Sequence, residues 1–383
     1  MPMLQICNAR LHDRVGLHTV SIDEAGRLRT IEQTTVVPPD AWDLNGGFLG
    51  PGLVDLQLNG ALGVEFSELE GDEGLARLAE ISRFLWSTGV SGWLATLISV
   101  PVEKLHAAMA TIARFEAPAD GARLLGVHLE GPFLNPEFEG AHLRHCLLMP
   151  TVENARRLVG DYADLVRLVT LAPELDPAGE TIPWLVERGI LVSLGHTAAT
   201  YDEARAAFDR GATLVTHVFN AQRPLHHREP GVIGAALLDE RVHCLCIPDR
   251  VHLHPATMRL LVRLKGATNL TAVSDAVAPL GVGDGVYEWH GMPIRVEAGR
   301  VQLPDGRLAG SALGLAEVTG RLAEQFDGDQ ELALELAALN PRRLLGLPEF
   351  PAVGERADLI AWPSDSPTPV RAVAGGQRAV VVG

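Results

Sequence analysis

The sequence predicts an α/β protein: a (β/α)8 TIM-like barrel joined to a small β-sandwich domain formed from both termini. Three features point there. Eight short apolar runs alternate with helical stretches through the middle of the 383-residue chain, and eight such units in roughly 250 residues fit a closed barrel. Both flanks read as strand and turn without helix. No Gly-x-Gly-x-x-Gly turn follows the first run, which weakens the alternative of an open doubly wound sheet.

In chain order, residues 1–48 are short and alternating, with LQICNAR and then HTVSIDEAGRLRTIE turning at Glu24-Ala25-Gly26. The end of the chain, with ADLIAW and AVAGGQRAVVVG, has the same character. Residues 1–48 and 352–383 are therefore assigned to the small β domain, and 49–351 to the barrel. The predicted barrel strands are Gly52–Leu58, Gly89–Ile98, Arg123–Glu130, Leu165–Ala172, Ile190–His196, Thr213–Val218, Val242–Ile247 and Asn269–Asp275. Their near-continuous Val, Ile and Leu suit strands buried on both faces. Helical stretches between them include Glu73–Ser87, Pro101–Phe115, Val152–Val159, Thr200–Arg210 and Pro255–Lys265.

Composition narrows the function. The formal net charge is −16 with no Lys/Arg-rich run, which argues against nucleic acid or an anionic membrane as partner. A local cationic pocket for a small anion stays possible. Four cysteines (Cys7, Cys146, Cys244, Cys246) show no Cys-x-x-Cys spacing and are too sparse for a disulfide framework. Cys244 and Cys246 alternate in an apolar run and read as core. With no signal-like N-terminus and no apolar stretch of about 18 residues, the expectation is a soluble cytoplasmic protein.

Barrel chemistry gathers where strands end. Those ends carry Gln57 and Asn59, Thr96, Glu130, Glu174, His196, His217, Asp249 with His252, and Asp275. One carboxylate and two imidazoles, Glu130 with His196 and His217, suit a divalent ion with a position left for water. Asp275 then fits a base that takes a proton from water and returns it to a leaving group, and the set makes a hydrolase. His128 competes with Glu130, because positions two apart on a strand face the same way. His142, on the loop after the same strand, fits a group polarising a substrate carbonyl. The loop running on from His217 holds His226, His227 and Arg228, a cationic cluster suited to phosphate or carboxylate.

Together these residues resemble the N-acetylglucosamine-6-phosphate deacetylases of the amidohydrolase superfamily. The matching segments are PGLVDLQLNG (51–60), HLEGPFLNPEFEGAH (128–142), TLAPE (170–174), SLGHT (193–197), THVFNAQ with PLHHREPG (216–231), VSDA (273–276), LAGSALG (308–314) and NPRRLLGL (340–347). The resemblance implies Glu130, His196 and His217 as metal ligands and Asp275 as catalytic acid/base. It implies His142 as the acetyl-carbonyl contact, Asn220, Ala221 and Arg228 as sugar-phosphate contacts, and His252 as a further substrate contact. It also implies a homodimer, with Arg228 or His252 completing the phosphate site of the neighbouring subunit.

Many amidohydrolases carry His-x-His on the first strand; this chain has Gln57-Leu58-Asn59, as in single-metal members. Amides are poor zinc ligands, so one divalent ion per subunit is expected: Zn²⁺ first, with Fe²⁺, Mn²⁺ or Co²⁺ also tolerated. Two departures touch the substrate region. Arg250 stands where the family has Gly, and Gln222 where it has Met; losing the Gly bears on a backbone needing positive φ, and Arg250 could instead add a phosphate contact. The expected reaction converts N-acetyl-D-glucosamine 6-phosphate to glucosamine 6-phosphate and acetate. The alternatives are N-acetylgalactosamine 6-phosphate or another N-acyl substrate, and more remotely a non-catalytic binding protein, which would be expected to lack a ligand or the base. A nucleotide-dependent enzyme is disfavoured for want of a Gly-rich phosphate loop.

Overall fold

The computed structural model describes residues 4–364, 370–372 and 378–381. Eight parallel strands follow one another around the barrel in sequence order: Leu53–Leu58, Val90–Leu97, Arg123–Glu130, Val166–Leu171, Leu191–Leu194, Leu214–Val215, His243–Cys246 and Leu270–Ala272. The first and last meet through Asp275 N–H to Gln57 O (2.9 Å) and Asn59 N–H to Ala276 O (2.7 Å). Every residue of the first two strands is buried, as expected of strands covered on both faces.

All eight expected runs form strands, but three end two or three residues early, at Leu194, Val215 and Ala272. His196, His217 and Asp275 have φ of +48°, +26° and +48°. They leave β geometry, so the ladder stops before them. The helices Val152–Val159 and Pro255–Lys265 have the expected bounds. Tyr201–Asp209 starts from a reciprocal capping box between Thr200 and Glu203. Helix Gly231–Leu238 is almost wholly buried, so its sequence shows no amphipathic period to read.

The two ends of the chain share one sheet. Leu4–Leu11, Arg14–Ile22 and Leu28–Gln33 run antiparallel, and Phe48–Pro51 joins them to Leu359–Trp362, Val370–Ala372 and Arg378–Val381. Ile6, Val20, Ile22, Leu28, Leu44, Leu49 and Leu359 give this sheet its own core. Phe48–Pro51 pairs with Leu359–Trp362 and passes through Gly52 directly into the barrel. Residues 365–369, 373–377 and 382–383 of the 352–383 assignment lie outside the described residues.

One element was absent from the sequence expectation. Between the eighth strand and helix Leu315–Gln325 lies a four-stranded antiparallel sheet of Gly285–Trp289, Met292–Glu297, Arg300–Gln302 and Leu308–Ser311. Its last strand returns to the barrel, where Ser311 N–H donates to Asp275 O at 2.9 Å. The inserted sheet therefore forms one wall above the strand ends.

Candidate active site

Three side chains, one at the end of the third barrel strand and two just past the ends of the fifth and sixth, converge above the barrel. His217 Nε2 lies 3.0 Å from Glu130 Oε1, His196 Nε2 lies 3.2 Å from the same oxygen, and the two imidazole nitrogens are 3.1 Å apart. Donors held at 2.0–2.1 Å on a tetrahedral zinc ion are separated by about 3.3 Å, so the spacing fits a single cation. His196 Nδ1 lies 2.8 Å from Phe138 O and carries its proton there, leaving Nε2 as a lone-pair donor. Burial works against charge on Glu130 and His217. Hydrogen bonding with His196 and then His217 outweighs it for Glu130, holding that carboxyl well below the ordinary carboxylate range, and hydrogen bonding with Glu130 holds His217 above its usual value.

His142 is close enough to Glu130 and His196 to be considered a ligand, and its Nε2 is 4.0 Å from Glu130 Oε2. Its tautomer argues otherwise. Ser99 N–H donates to His142 Nδ1 at 3.2 Å, so Nε2 bears the proton and presents a donor to the cavity. Burial, followed by the neighbouring His196, pushes His142 down to about 3 and keeps it neutral. His128 is not available as a ligand: its Nε2 is 2.8 Å from Thr170 Oγ1 and its Nδ1 3.3 Å from Thr96 Oγ1. It braces the layer below.

Asp275 faces the same point. Asn59 Nδ2 donates to its Oδ1 at 2.8 Å and Gln57 Nε2 at 3.1 Å, while Gln57 Nε2 also donates to Glu130 Oε1 at 2.9 Å. Both first-strand amides thus aim NH₂ groups, not oxygens, at the carboxylates. Burial and then the Glu130 charge raise Asp275 to about 6, near the range that suits a general base at neutral pH.

Glu130, His142, His196, His217, Asp275 and Asn59 line a cavity of about 360 Å³ with Asn220, Ala221 and His252, within the range of small-molecule sites. His252 Nδ1 lies 2.8 Å from Asp249 Oδ2, which turns its other nitrogen loose for a ligand. Arg228 is not in this cavity. It is exposed on its loop, 2.8 Å from His227 Nε2. Arg250 takes φ +68° and pairs with Glu324 at 2.8 Å, also away from the cavity. Buried Gln222 donates to Thr216 O (2.7 Å) and accepts from Phe219 N–H (3.3 Å), pinning a loop in which Phe219 and Ala221 have φ of +77° and +48°.

Sequence reading missed the opposite wall. Trp289, Arg307 and Leu308–Gly310 of the inserted sheet line the cavity, and Arg307 is its one Lys or Arg among the described residues. Arg307 donates to Gly140 O at 2.8 Å, tying this wall to the loop that carries His142. The alternation in GVYEWHGMPIRVE, broken by His290-Gly291, is the hairpin signal that could have found it.

A model of the amidohydrolase family matches residues 48–382. The chain is 37% identical to a mouse N-acetylglucosamine-6-phosphate deacetylase over 313 residues, covering 80% of this chain and 76% of that one. It is 32% identical to an N-acetylgalactosamine-6-phosphate deacetylase of Escherichia coli O157:H7, covering 86% and 87%. Among solved structures, a mutant Mycobacterium smegmatis N-acetyl-D-glucosamine-6-phosphate deacetylase in complex with N-acetyl-D-glucosamine-6-phosphate superposes with a TM-score of 0.87 at 31% identity, covering both chains completely.

Proposed function

Because the chain belongs to the amidohydrolase family, we propose that it is a deacetylase: it hydrolyses the N-acetyl group of N-acetyl-D-glucosamine 6-phosphate, giving glucosamine 6-phosphate and acetate. The observation that carries this reading is the convergence of Glu130, His196 and His217 within 3.2 Å, with Asp275 held beside them by two amides. Relatives named as N-acetylglucosamine-6-phosphate deacetylases support the substrate.

Glu130, His196 and His217 hold one divalent ion, zinc first, with iron, manganese or cobalt compatible with the same donors. When bound, the ion supplies Lewis acidity that makes water nucleophilic near neutral pH. Asp275 takes the proton from the attacking water and later delivers it to the departing amine. His142 donates from Nε2–H to the acetyl carbonyl oxygen as negative charge develops there. The sugar phosphate is held by Asn220, Ala221 and His252 from the same chain. Arg228 contributes to the neighbour's cavity in a homodimer, a reading supported by its exposure and by its absence from the cavity lining of its own chain. A second ion is disfavoured, because the Gln57 and Asn59 NH₂ groups occupy the first-strand side of the site.

Four free, buried cysteines support a reducing compartment, the cytoplasm. No helix among the described residues is long and apolar enough to cross a membrane.

N-acetylgalactosamine 6-phosphate is the second reading, favoured by the 32%-identical relative named for it. Acetate release from both epimers and from the unphosphorylated sugars decides between them. A higher kcat/KM for the galacto epimer, or for either free sugar, overturns the substrate proposed first. Elemental analysis of the same dialysed sample is expected to return one ion per chain, and two would overturn the single-metal site.

A further inference from the structure

We propose that Glu174 is a positioning residue for His196, an inference that rests on reading His196 as a metal ligand. Glu174 lies in the turn Pro173–Leu175 after the fourth barrel strand and is not part of the cavity lining. Its carboxylate joins two loops. Oε1 accepts from Asn135 Nδ2 at 2.8 Å and from Ala198 N–H at 2.6 Å, while Oε2 accepts from Thr197 Oγ1 at 2.5 Å.

Both loops lead to His196. Thr197 and Ala198 follow it directly, and His196 itself sits at φ +48°, a conformation that a β-carbon disfavours. Glu174 fixes the two residues that must carry the chain away from that turn. On the other side, Asn135 N–H donates to His196 O at 2.9 Å, and Phe138 N–H donates to Asn135 O at 2.9 Å. Phe138 O in turn holds His196 Nδ1 at 2.8 Å and sets the ring tautomer. One carboxylate therefore anchors the backbone of His196 from behind and, through Asn135, the carbonyl that aims its imidazole. Groups that orient a metal-bound histidine typically change metal affinity by about 10–100-fold when removed.

Glutamine is the discriminating substitution. Its oxygen can keep the Asn135 and Ala198 donors, and its NH₂ can donate to Thr197 Oγ1 with that one bond reversed. Wild type, Glu174→Ala, Glu174→Gln and Asn135→Ala, each loaded with zinc, are compared by chelator competition for zinc affinity, by kcat and KM at saturating zinc, and by thermal midpoint. Glu174→Ala is expected to hold zinc about 10–100-fold more weakly, with kcat down about tenfold and KM nearly unchanged; Glu174→Gln should stay within about threefold of wild type, and Asn135→Ala should fall between. A lowered thermal midpoint with zinc affinity and kcat at wild-type values would mean a merely structural brace and overturn the proposal. If Glu174→Ala does not fold, wild-type zinc affinity in Asn135→Ala overturns it instead. A wild-type protein that retains neither zinc nor iron, manganese or cobalt sinks the ligand reading and this inference with it. Tight zinc in both wild type and Glu174→Ala sinks this inference alone.

Discussion

The Gln57 amide donates to Asp275 Oδ1 across 3.1 Å, so the first and eighth strands meet through a side chain whose same nitrogen also reaches Glu130 at 2.9 Å. The proposed base and the proposed ligand thus share one neutral donor. That donor keeps two carboxylates in one buried site without bringing in a second cation.

Asp275 is predicted to be required for turnover but not for the fold. Asp275→Asn keeps the size of the side chain and removes the proton acceptor, so kcat should fall by about 10²–10⁴-fold. Metal content and thermal midpoint should remain near wild type. Substantial residual kcat in the variant would remove Asp275 from its role.

Asn59 should tune that base. Its 2.8 Å hydrogen bond favours the ionised form of Asp275, and a bond to a charged group is worth about 1.5–3 kcal/mol. Asn59→Leu removes it, so the Asp275 pKa rises and the base is protonated at higher pH. The acid limb of the kcat/KM profile should move up by about one pH unit. An unmoved limb would show that Asn59 only packs.

Arg228 is predicted to act on the neighbour's substrate. Alone, Arg228→Ala should lower kcat/KM for the phosphorylated sugar by about 10²-fold and leave the free sugar alone, as expected for a lost charge-assisted contact. Mixing Arg228→Ala with Asp275→Asn subunits tests the geometry. Half the reassorted dimers are mixed, and each has one site with both groups intact, so about a quarter of wild-type activity should return. No recovery after verified exchange would put Arg228 in its own chain's site.

Much of this arrangement was legible in the sequence because burial leaves a pattern. Val90–Leu97 and Arg123–Glu130 could be found since strands covered on both faces must be apolar, and Glu130, His196, His217 and Asp275 stood out as the polar residues ending such runs. The left-handed backbones at His196, His217 and Asp275 were not legible. Nothing in a histidine or aspartate announces a conformation imposed by its neighbours. Trp289 and Arg307 were missed for another reason: they reach the cavity from an inserted hairpin sheet, and strand-end logic applies only to the barrel itself. Glu174 was visible as a strand-end acid, but its partners Asn135 and Thr197 come from loops that only the fold brings together.

Arg250 is predicted to be dispensable for substrate. Its φ of +68° is where glycine is at ease, and its guanidinium is taken by Glu324. In Arg250→Gly the relief of the left-handed backbone is offset by greater chain entropy and the lost exposed pair, leaving stability within about 1 kcal/mol of wild type. Steady-state kinetics should show kcat/KM for the phosphorylated sugar unchanged. A tenfold loss would restore Arg250 as a phosphate contact.

Glu65 should make the fold weaker as pH rises. It is buried beside Trp289, whose indole N–H donates to Glu65 Oε2 at 2.6 Å, and burial pushes its carboxyl from 4.5 to about 8. Between those values the unfolded chain releases a proton that the folded chain retains. Stability from this group is therefore fully present below about pH 4.5, declines through the window and levels off above about pH 8. Glu65→Gln keeps an acceptor for Trp289 and has no proton to release. Its stability relative to wild type should be similar near pH 5 and greater by a few kcal/mol near pH 8.5, because each tenfold change in proton affinity is worth about 1.4 kcal/mol. Denaturant unfolding of both proteins at the two pH values checks it. A pH-independent difference would mean that Glu65 is ionised in the folded protein, and that the wall carrying Trp289 is held by charge rather than by a neutral hydrogen bond.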